Sequence, residues 1–328
     1  MNELSEGLVV GVDSGGSGLR VALAEAAGGE VLDSRASREP VRTGPDGISA
    51  EHFLEQVLPA VRALRKTFRA RPVVAVAVGA AGMATLGDEL RAVLPGAFAE
   101  AWGVRRVALA ADAVTAYAGA LGQRPGVVVA GGTGLIALGT DLTSWRRADG
   151  WGHLLGDCGS GAWIGRAGLE AAMRAHDGRR GGSAALLARA EKLFGPAAGL
   201  PGVLYPRTDR PAALASFAPA VRDCAEADPV AAGILARAGT HIAEAAEAVC
   251  PVEPGALVAL TGGLFKLGEP LLAPLRSALG ERLPQARTVQ PVGDPLGGAV
   301  ALARALATDT LRLPEHPSLL CQFGLGPA

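Results

Sequence analysis

At 328 residues the chain exceeds one ordinary compact core and suits two α/β domains of similar size. A formal charge of −1 gives no electrostatic reason to expect nucleic acid or an anionic membrane as partner, while 49% apolar residues, 4% aromatics and 46 glycines point to an Ala/Val/Leu core with glycine-rich turns. No run is long and apolar enough to span a bilayer, and the start, Met1 to Glu6, lacks the basic residues of a signal peptide, so a cytoplasmic protein is expected.

In chain order, strands are expected near 7–13, 19–25 and 30–35, followed by a helix near 50–69 whose apolar face is Phe53, Leu54, Val57, Leu58, Val61 and Leu64. A strand at 73–78, a helix around 86–94, a strand at 106–110 and a helix from Asp112 complete the first half. After Gly126 the pattern restarts, with strands near 126–130, 134–139 and 144–148 and a long helical region broken by Gly/Pro-rich stretches at 178–183 and 195–211. Asp228-Pro229 and Asp294-Pro295 each pair an N-cap residue with proline at the first helical position, predicting helices over 229–249 and 295–307. Val258-Ala259-Leu260 is a further strand, and the tail from Thr308 carries no readable pattern. The segment Gly122–Gly126 reads as a hinge, and the crevice between the two halves as the natural ligand site.

The most informative feature is a glycine turn that occurs twice, each time directly after an apolar run. Gly15-Gly16-Ser17-Gly18 follows Leu8–Asp13, and Gly131-Gly132-Thr133-Gly134 follows Val127–Ala130, offset by 116 positions (15 to 131). Such turns leave backbone N–H groups free to face an anion, with no Cβ to hold a phosphate away. No G-x-x-x-x-G-K-[ST] is present and neither turn completes G-x-G-x-x-G, which excludes a P-loop and argues against a dinucleotide fold. Phosphate binding would then rest on the paired turns.

Three carboxylates stand where strand ends meet turns or helices. Asp13 either caps its own turn or faces a Mg²⁺ carried by phosphate, directly or through water. Asp112 is at once a helix-opening residue and a carboxylate at a strand's carboxyl end, where it could accept a hydroxyl proton. Asp157 lies in Gly150-Trp151-Gly152-His153-Leu154-Leu155-Gly156-Asp157-Cys158-Gly159-Ser160-Gly161, which holds five glycines in twelve residues. There Trp151 could stack on a sugar and Asp157 accept its hydroxyls, or the segment could be a turn with a core tryptophan. Thr261-Gly262-Gly263 could admit a flat ring or serve as a plain strand-to-helix turn. Arg20 and Lys266 read as solvated surface charges, and the scattered Cys158, Cys224, Cys250 and Cys321 as reduced thiols.

Taken in order, these segments resemble the N-acetylglucosamine/glucosamine kinase branch of the BadF/BadG/BcrA/BcrD ATPase family, within the sugar kinase, Hsp70 and actin superfamily. The resemblance covers about residues 7–306 and rests most on the Gly150–Ser160 segment. It implies an α/β protein of two RNase H-like (actin-like ATPase) domains with a central interdomain cleft. The expected division is 1–121, 122–300 with a helical insertion, and a C-terminal helix and tail over 295–328, the helix packing back on the N-terminal domain. By the same resemblance Gly15, Gly16, Ser17 and Gly18 match the first phosphate loop, and Gly131, Gly132, Thr133 and Gly134 the second. Gly262 and Gly263 match the adenosine loop, Asp112 the base that takes the sugar 6-hydroxyl proton, and Gly150, Trp151 and Asp157 sugar-contacting positions. ATP and Mg²⁺ are the expected cofactors, with Asp13 on the metal side, and an amino sugar the expected acceptor. Dimers are common among such proteins, which leaves a homodimer open.

Animal N-acetylglucosamine kinases differ at three places. They carry an asparagine where Leu135-Ile136 stands, a glutamate where Cys158 stands, and a sugar-binding asparagine where Pro40-Val41-Arg42-Thr43 stands. These changes bring free glucosamine in beside N-acetylglucosamine. Two other functions fit the same fold. An activator ATPase of acyl-CoA dehydratases would need a thiolate set for an iron–sulfur cluster, and the four cysteines form no compact motif. A non-catalytic sugar-sensing regulator would need a DNA-binding module, and a first strand at about residue 7 leaves no room for one.

Overall fold

The computed structural model describes residues 7–16, 18–45 and 47–324. The chain divides into two units, one formed by 1–125, 140–145 and 290–328, the other by 126–139 and 146–289. The first unit begins with β1 (Leu8–Gly15), β2 (Gly18–Glu25), β3 (Val31–Ser37) and the short β4 (Thr43–Gly44) and β5 (Gly47–Ile48). Next come α1 (Ala50–Leu64), β6 (Val73–Ala80), α2 (Met83–Leu86), α3 (Asp88–Trp102), β7 (Arg106–Ala111) and α4 (Asp112–Leu121). The second unit opens with β8 (Gly126–Gly131), β9 (Leu135–Thr140) and β10 (Trp145–Asp149), of which only the end residues Thr140 and Trp145 fall in the first unit. Its helices α5 (Gly161–His176), α6 (Ala184–Phe194), α7 (Leu200–Leu204), α8 (Arg210–Ala215), α9 (Ala218–Cys224) and α10 (Pro229–Val249) lead to β11 (Leu257–Thr261), α11 (Glu269–Arg282) and β12 (Arg287–Val289). The chain then re-enters the first unit with α12 (Pro295–Ala307) and β13 (Leu320–Gly324).

One plan serves both sheets. In the first unit the order is β13-β7-β6-β1-β2-β3, an antiparallel meander β1-β2-β3 followed by β6 and β7 parallel to β1. In the second it is β10-β9-β8-β11-β12, with β11 parallel to both β8 and β12. β1 and β6 are Val/Ala/Leu runs buried along nearly their whole length, as a central parallel strand covered on both faces must be. The capping pairs predicted from sequence form as expected. Asp228 accepts from the N–H groups of Val230 and Ala231 at the start of α10, and Asp294 accepts from Gly297 at the start of α12.

Three elements differ from the sequence expectation. The helix expected over 86–94 runs on to Trp102, since Pro95 is carried inside α3. The helix expected to 69 ends at Leu64 and continues as a 3₁₀ turn over Arg65–Phe68. The unreadable tail supplies β13, antiparallel to β7, and the Leu319 carbonyl accepts from the Ala111 N–H at 2.8 Å. That bond holds the backbone immediately before Asp112. A short strand whose only reward is a distant edge has no local signature.

Within the first unit α12 packs on the sheet and on α4 through glycines. A Cβ at Gly11 would lie 2.7 Å from the Val300 backbone nitrogen, one at Gly119 2.1 Å from the Asp294 carbonyl oxygen, and one at Gly298 1.9 Å from the Thr115 carbonyl oxygen. Because the Gly298 clash is with helix backbone, no rotamer change relieves it. Gly298→Ala is expected to lower the unfolding free energy by about 1–3 kcal/mol, the range for overpacked cores, read as a shift in denaturant midpoint. An unchanged midpoint would mean that α4 and α12 separate freely. No helix of the described residues is long and apolar enough to cross a membrane.

Candidate active site

The first unit assembles two carboxylates at the carboxyl ends of its parallel strands. Register places Asp13 of β1 in one row with Gly79 of β6 and Ala110 of β7, so Asp112, which follows the last residue of β7, stands two positions beyond that row at the same edge of the sheet. Ligands of open α/β sheets gather at this edge. Asp112 is the first residue of α4, following an N-cap at Ala111, and its Oδ1 accepts from the Ala113 N–H at 2.9 Å. Burial pushes its carboxyl above the ordinary carboxylate range and the negative charge of Asp13 adds to the push, against the Ala113 N–H that favours the ionised form. A carboxylate raised in this way, at a helix N-terminus that still favours its charge, is suited to take up a proton.

Arg20 is not a free surface charge. Its Nε and terminal nitrogen donate to Asp13 Oδ2 at 3.0 and 2.6 Å, and its other terminal nitrogen reaches Asp294 Oδ2 at 2.5 Å. Asp13 and Arg20 face each other across the antiparallel β1–β2 pair, so the pairing follows from the strand register. One guanidinium thereby joins the end of β1 to the cap of α12. With Oδ2 occupied, Asp13 keeps one oxygen for a ligand, and among the described residues no group of three or more His, Cys, Asp or Glu side chains gathers to hold a metal.

The glycines of the turns separate into two kinds. A Cβ at Gly18, whose φ is +136°, would lie 2.1 Å from the Ser37 carbonyl oxygen; one at Gly131 would lie 2.7 Å from Leu264; and one at Gly262, φ +102°, would lie 2.2 Å from the Gly131 carbonyl oxygen. These three are fixed by packing. At Gly15, Gly16, Gly132 and Gly263 a Cβ would meet nothing within 4 Å, so there the missing side chain leaves room beside the backbone. Ser17 lies outside the described residues. In the second unit the Gly132 and Thr133 carbonyls accept from Gly161 and Ala162 at the start of α5, which fixes the turn from behind. The N–H groups of Thr133 and Gly134 meet no acceptor among the described residues, as an anion cradle requires. Register also sets Thr261 beside Ala130, so the Gly262-Gly263 segment adjoins this second turn.

The Gly150–Asp157 loop of the second unit is organised by a residue that the sequence reading passed over. Asp149, in a left-handed conformation (φ 62°), accepts from the Asp157 N–H through Oδ1 and from the Cys158 N–H through Oδ2 at 2.9 Å. Its only local signal is the Asp149-Gly150 pair, a turn signature. Asp157, also left-handed (φ 54°) and buried, turns its Oδ1 onto the Gly152 N–H at 3.0 Å. Burial raises its carboxyl above the ordinary range, opposed chiefly by the Gly152 N–H. A Cβ at Gly134 would lie 2.4 Å from Asp157 Oδ2, so loop and second turn are seated on each other. Trp151 is 62% exposed with the Arg147 guanidinium 4.1 Å over its ring, and Gly150 (φ +76°) lies against Ile136. Lys266 sits in the 3₁₀ turn after Gly262, and all four cysteines are free.

These features sort by unit: Asp13, Asp112 and the first turn belong to one; the second turn, Asp149, Trp151, Asp157, Gly262 and Gly263 to the other. Comparison with known proteins gives a consistent picture. The chain is 29% identical over 177 residues to the N-acetylmuramic acid/N-acetylglucosamine kinase of Clostridium acetobutylicum, a match spanning 52% of this chain and 55% of that protein. The chain thus aligns with about half the length of this curated relative. A Chromobacterium violaceum structure classed as an N-acetylglucosamine kinase superposes with TM-score 0.66 at 28% identity, covering 91% of this chain and 99% of that one. The fold is also that of the ROK family glucokinase of Streptomyces griseus, solved with glucose and AMPPNP, at TM-score 0.55 and 21% identity over 92% of this chain and all of that one. The two-sheet α/β architecture is therefore the actin-like ATPase fold of sugar kinases. The family model for the BadF/BadG/BcrA/BcrD ATPases matches residues 10–303, and the chain belongs to that family.

Proposed function

We propose that the protein is an ATP-dependent kinase that phosphorylates the 6-hydroxyl of an amino sugar, N-acetylglucosamine or glucosamine. The observation that carries this reading is Asp112, a carboxyl raised by burial at the carboxyl end of a parallel strand, in the same unit as the glycine hairpin. In it Asp112 takes the hydroxyl proton as the oxygen attacks the terminal phosphorus, and the bond to the departing nucleoside diphosphate breaks. The N–H groups of Thr133 and Gly134 and the open backbone at Gly15, Gly16 and Gly132 bind phosphate oxygens. Gly262 and Gly263 border the adenosine, and Gly150, Trp151 and Asp157 border the sugar. Asp13 fits an outer role toward Mg²⁺, through water, because Arg20 already holds one of its oxygens. The metal, when bound, neutralises charge on the phosphates; alignment and charge stabilisation supply most of what phosphoryl transfer requires.

The test is a coupled-enzyme screen of ATP consumption over glucose, glucosamine, N-acetylglucosamine and N-acetylmuramic acid, the last because the clostridial relative is named for it. Turnover confined to amino sugars is expected, and none with any sugar would overturn the reading. A pH experiment probes the first unit separately. Arg20→Gln leaves Asp13 uncompensated near Asp112, which raises the Asp112 carboxyl further. Since the base must be ionised, the acid limb of kcat/KM should move to higher pH, and an unmoved limb would detach the Asp13–Arg20 pair from the base.

A further inference from the structure

We propose that the first unit carries a second, separate binding site for a nucleoside phosphate, formed where the end of α1 meets the end of α3. A cleft of about 530 Å³ lies there, lined by Leu58, Arg62, Arg65, Arg69, Ala101 and Trp102. That volume falls in the range of small-molecule sites. Arg62 and Arg69 are exposed, and among the described residues neither makes a side-chain hydrogen bond or ion pair. Arg65 donates one terminal nitrogen to the Arg71 carbonyl at 3.2 Å, while its Nε is buried with no partner. Among the described residues no carboxylate lines the cleft. The acidic groups nearest in sequence, Glu55 on α1 and Glu100 on α3, form no ion pair with these arginines among the described residues. The dipole at the end of α1 accounts for a cation there. It does not account for three guanidinium groups sharing one cleft with an indole.

The chemistry of the lining selects the ligand. Guanidinium forks match phosphate oxygens bidentately, and three of them without an internal counter-charge suit a di-anion or a larger anion. Trp102 stacks on Phe98 with ring centroids 4.9 Å apart and planes 12° from parallel, so the indole is held rigid by its neighbour. A rigid, half-exposed indole offers a stacking surface to a planar base at little entropic cost. Phosphate on the arginines and a base on Trp102 together describe a nucleoside phosphate. The second glycine turn offers the backbone N–H groups of Thr133 and Gly134, whereas this cleft is built from side chains, so each can be altered alone.

The experiment is calorimetric titration of the intact protein with uridine 5′-diphosphate and, separately, with inorganic phosphate. Saturable binding of the diphosphate is expected, weakened about tenfold or more by the double substitution Arg62→Ala/Arg69→Ala, as the loss of charge-assisted hydrogen bonds implies. Trp102→Ala is expected to weaken the nucleotide and leave phosphate binding unaltered. Circular dichroism and the denaturant midpoint check the fold of each variant, and both arginines are exposed. Nucleotide bound only at the glycine turns would keep its affinity in the arginine variant. That result, or no saturable binding, overturns the proposal, and equal losses of nucleotide and phosphate in Trp102→Ala overturn the stacking contact.

Discussion

Asp112→Asn is expected to remove turnover while leaving the fold intact, and the two effects should move in opposite directions. Removing a positioned general base costs roughly a hundred- to ten-thousand-fold in rate, and kcat should fall with little change in nucleotide affinity. The amide keeps the geometry, because its oxygen can still accept from the Ala113 N–H. It also removes a charge that the fold disfavours. The folded carboxyl titrates above its ordinary value, so its ionisation opposes folding. That penalty is absent below the ordinary carboxylate range and is felt fully once pH has risen through the raised value. At neutral pH the asparagine variant should therefore unfold at or above the wild-type temperature. A second consequence is kinetic: wild-type kcat/KM should fall as pH drops through the same raised value, and a variant with residual activity should lose that limb. Near-wild-type turnover in Asp112→Asn would falsify the base assignment. Lost turnover with a lowered melting temperature would reassign the residue to holding the start of α4.

What the sequence disclosed and what it hid follow from how local each interaction is. The Asp-Pro pairs at 228 and 294 announce their helices because cap, proline and first turn lie within four residues. The glycine turns are visible for the same reason, although sequence cannot separate Gly15, Gly16 and Gly132, where a Cβ would be accommodated, from Gly18, Gly131 and Gly134, where it would collide. That distinction depends on Ser37, Leu264 and Asp157, none of them a neighbour in the chain. Arg20 shows the intermediate case. Its partner Asp13 could have been found by counting back across the hairpin, but its second partner, Asp294, joins only through tertiary packing. β13 is further out of reach, since its pairing with β7 joins residues more than 200 positions apart and no turn announces it. Asp149 was hidden differently. It ends an unremarkable strand, and its importance lies in two N–H groups eight and nine residues later, in the segment that drew attention to itself.

Asp149→Ala is for this reason expected to damage the second unit's loop more than any substitution of the aromatic that ornaments it. The change removes the acceptor for two backbone donors, Asp157 N–H and Cys158 N–H, and each donor left unsatisfied inside the protein costs about 1–3 kcal/mol. A compensating gain exists, because the Asp149 charge is one of the influences that raise the neighbouring Asp157 carboxyl. It is the smaller effect: burial leads that shift and the Gly152 N–H already counters it. The left-handed backbone at Asp157 adds to the loss, since a non-glycine residue persists there only while its surroundings hold it. Once Asp157 relaxes, its Oδ2 leaves Gly134, and the second glycine turn loses the group seated against it. Displacement of catalytic groups by about 1 Å can cost a hundredfold. The expected outcome is a lower denaturant midpoint together with a rise in KM for the sugar and a fall in kcat on the order of a hundredfold. Asp149→Asn should lie between, as its oxygen can serve only one of the two donors while its NH₂ group opposes the other. A variant pair with wild-type KM and kcat would show that the loop keeps its shape without Asp149, and the sugar-contacting role proposed for Gly150, Trp151 and Asp157 would then need another support.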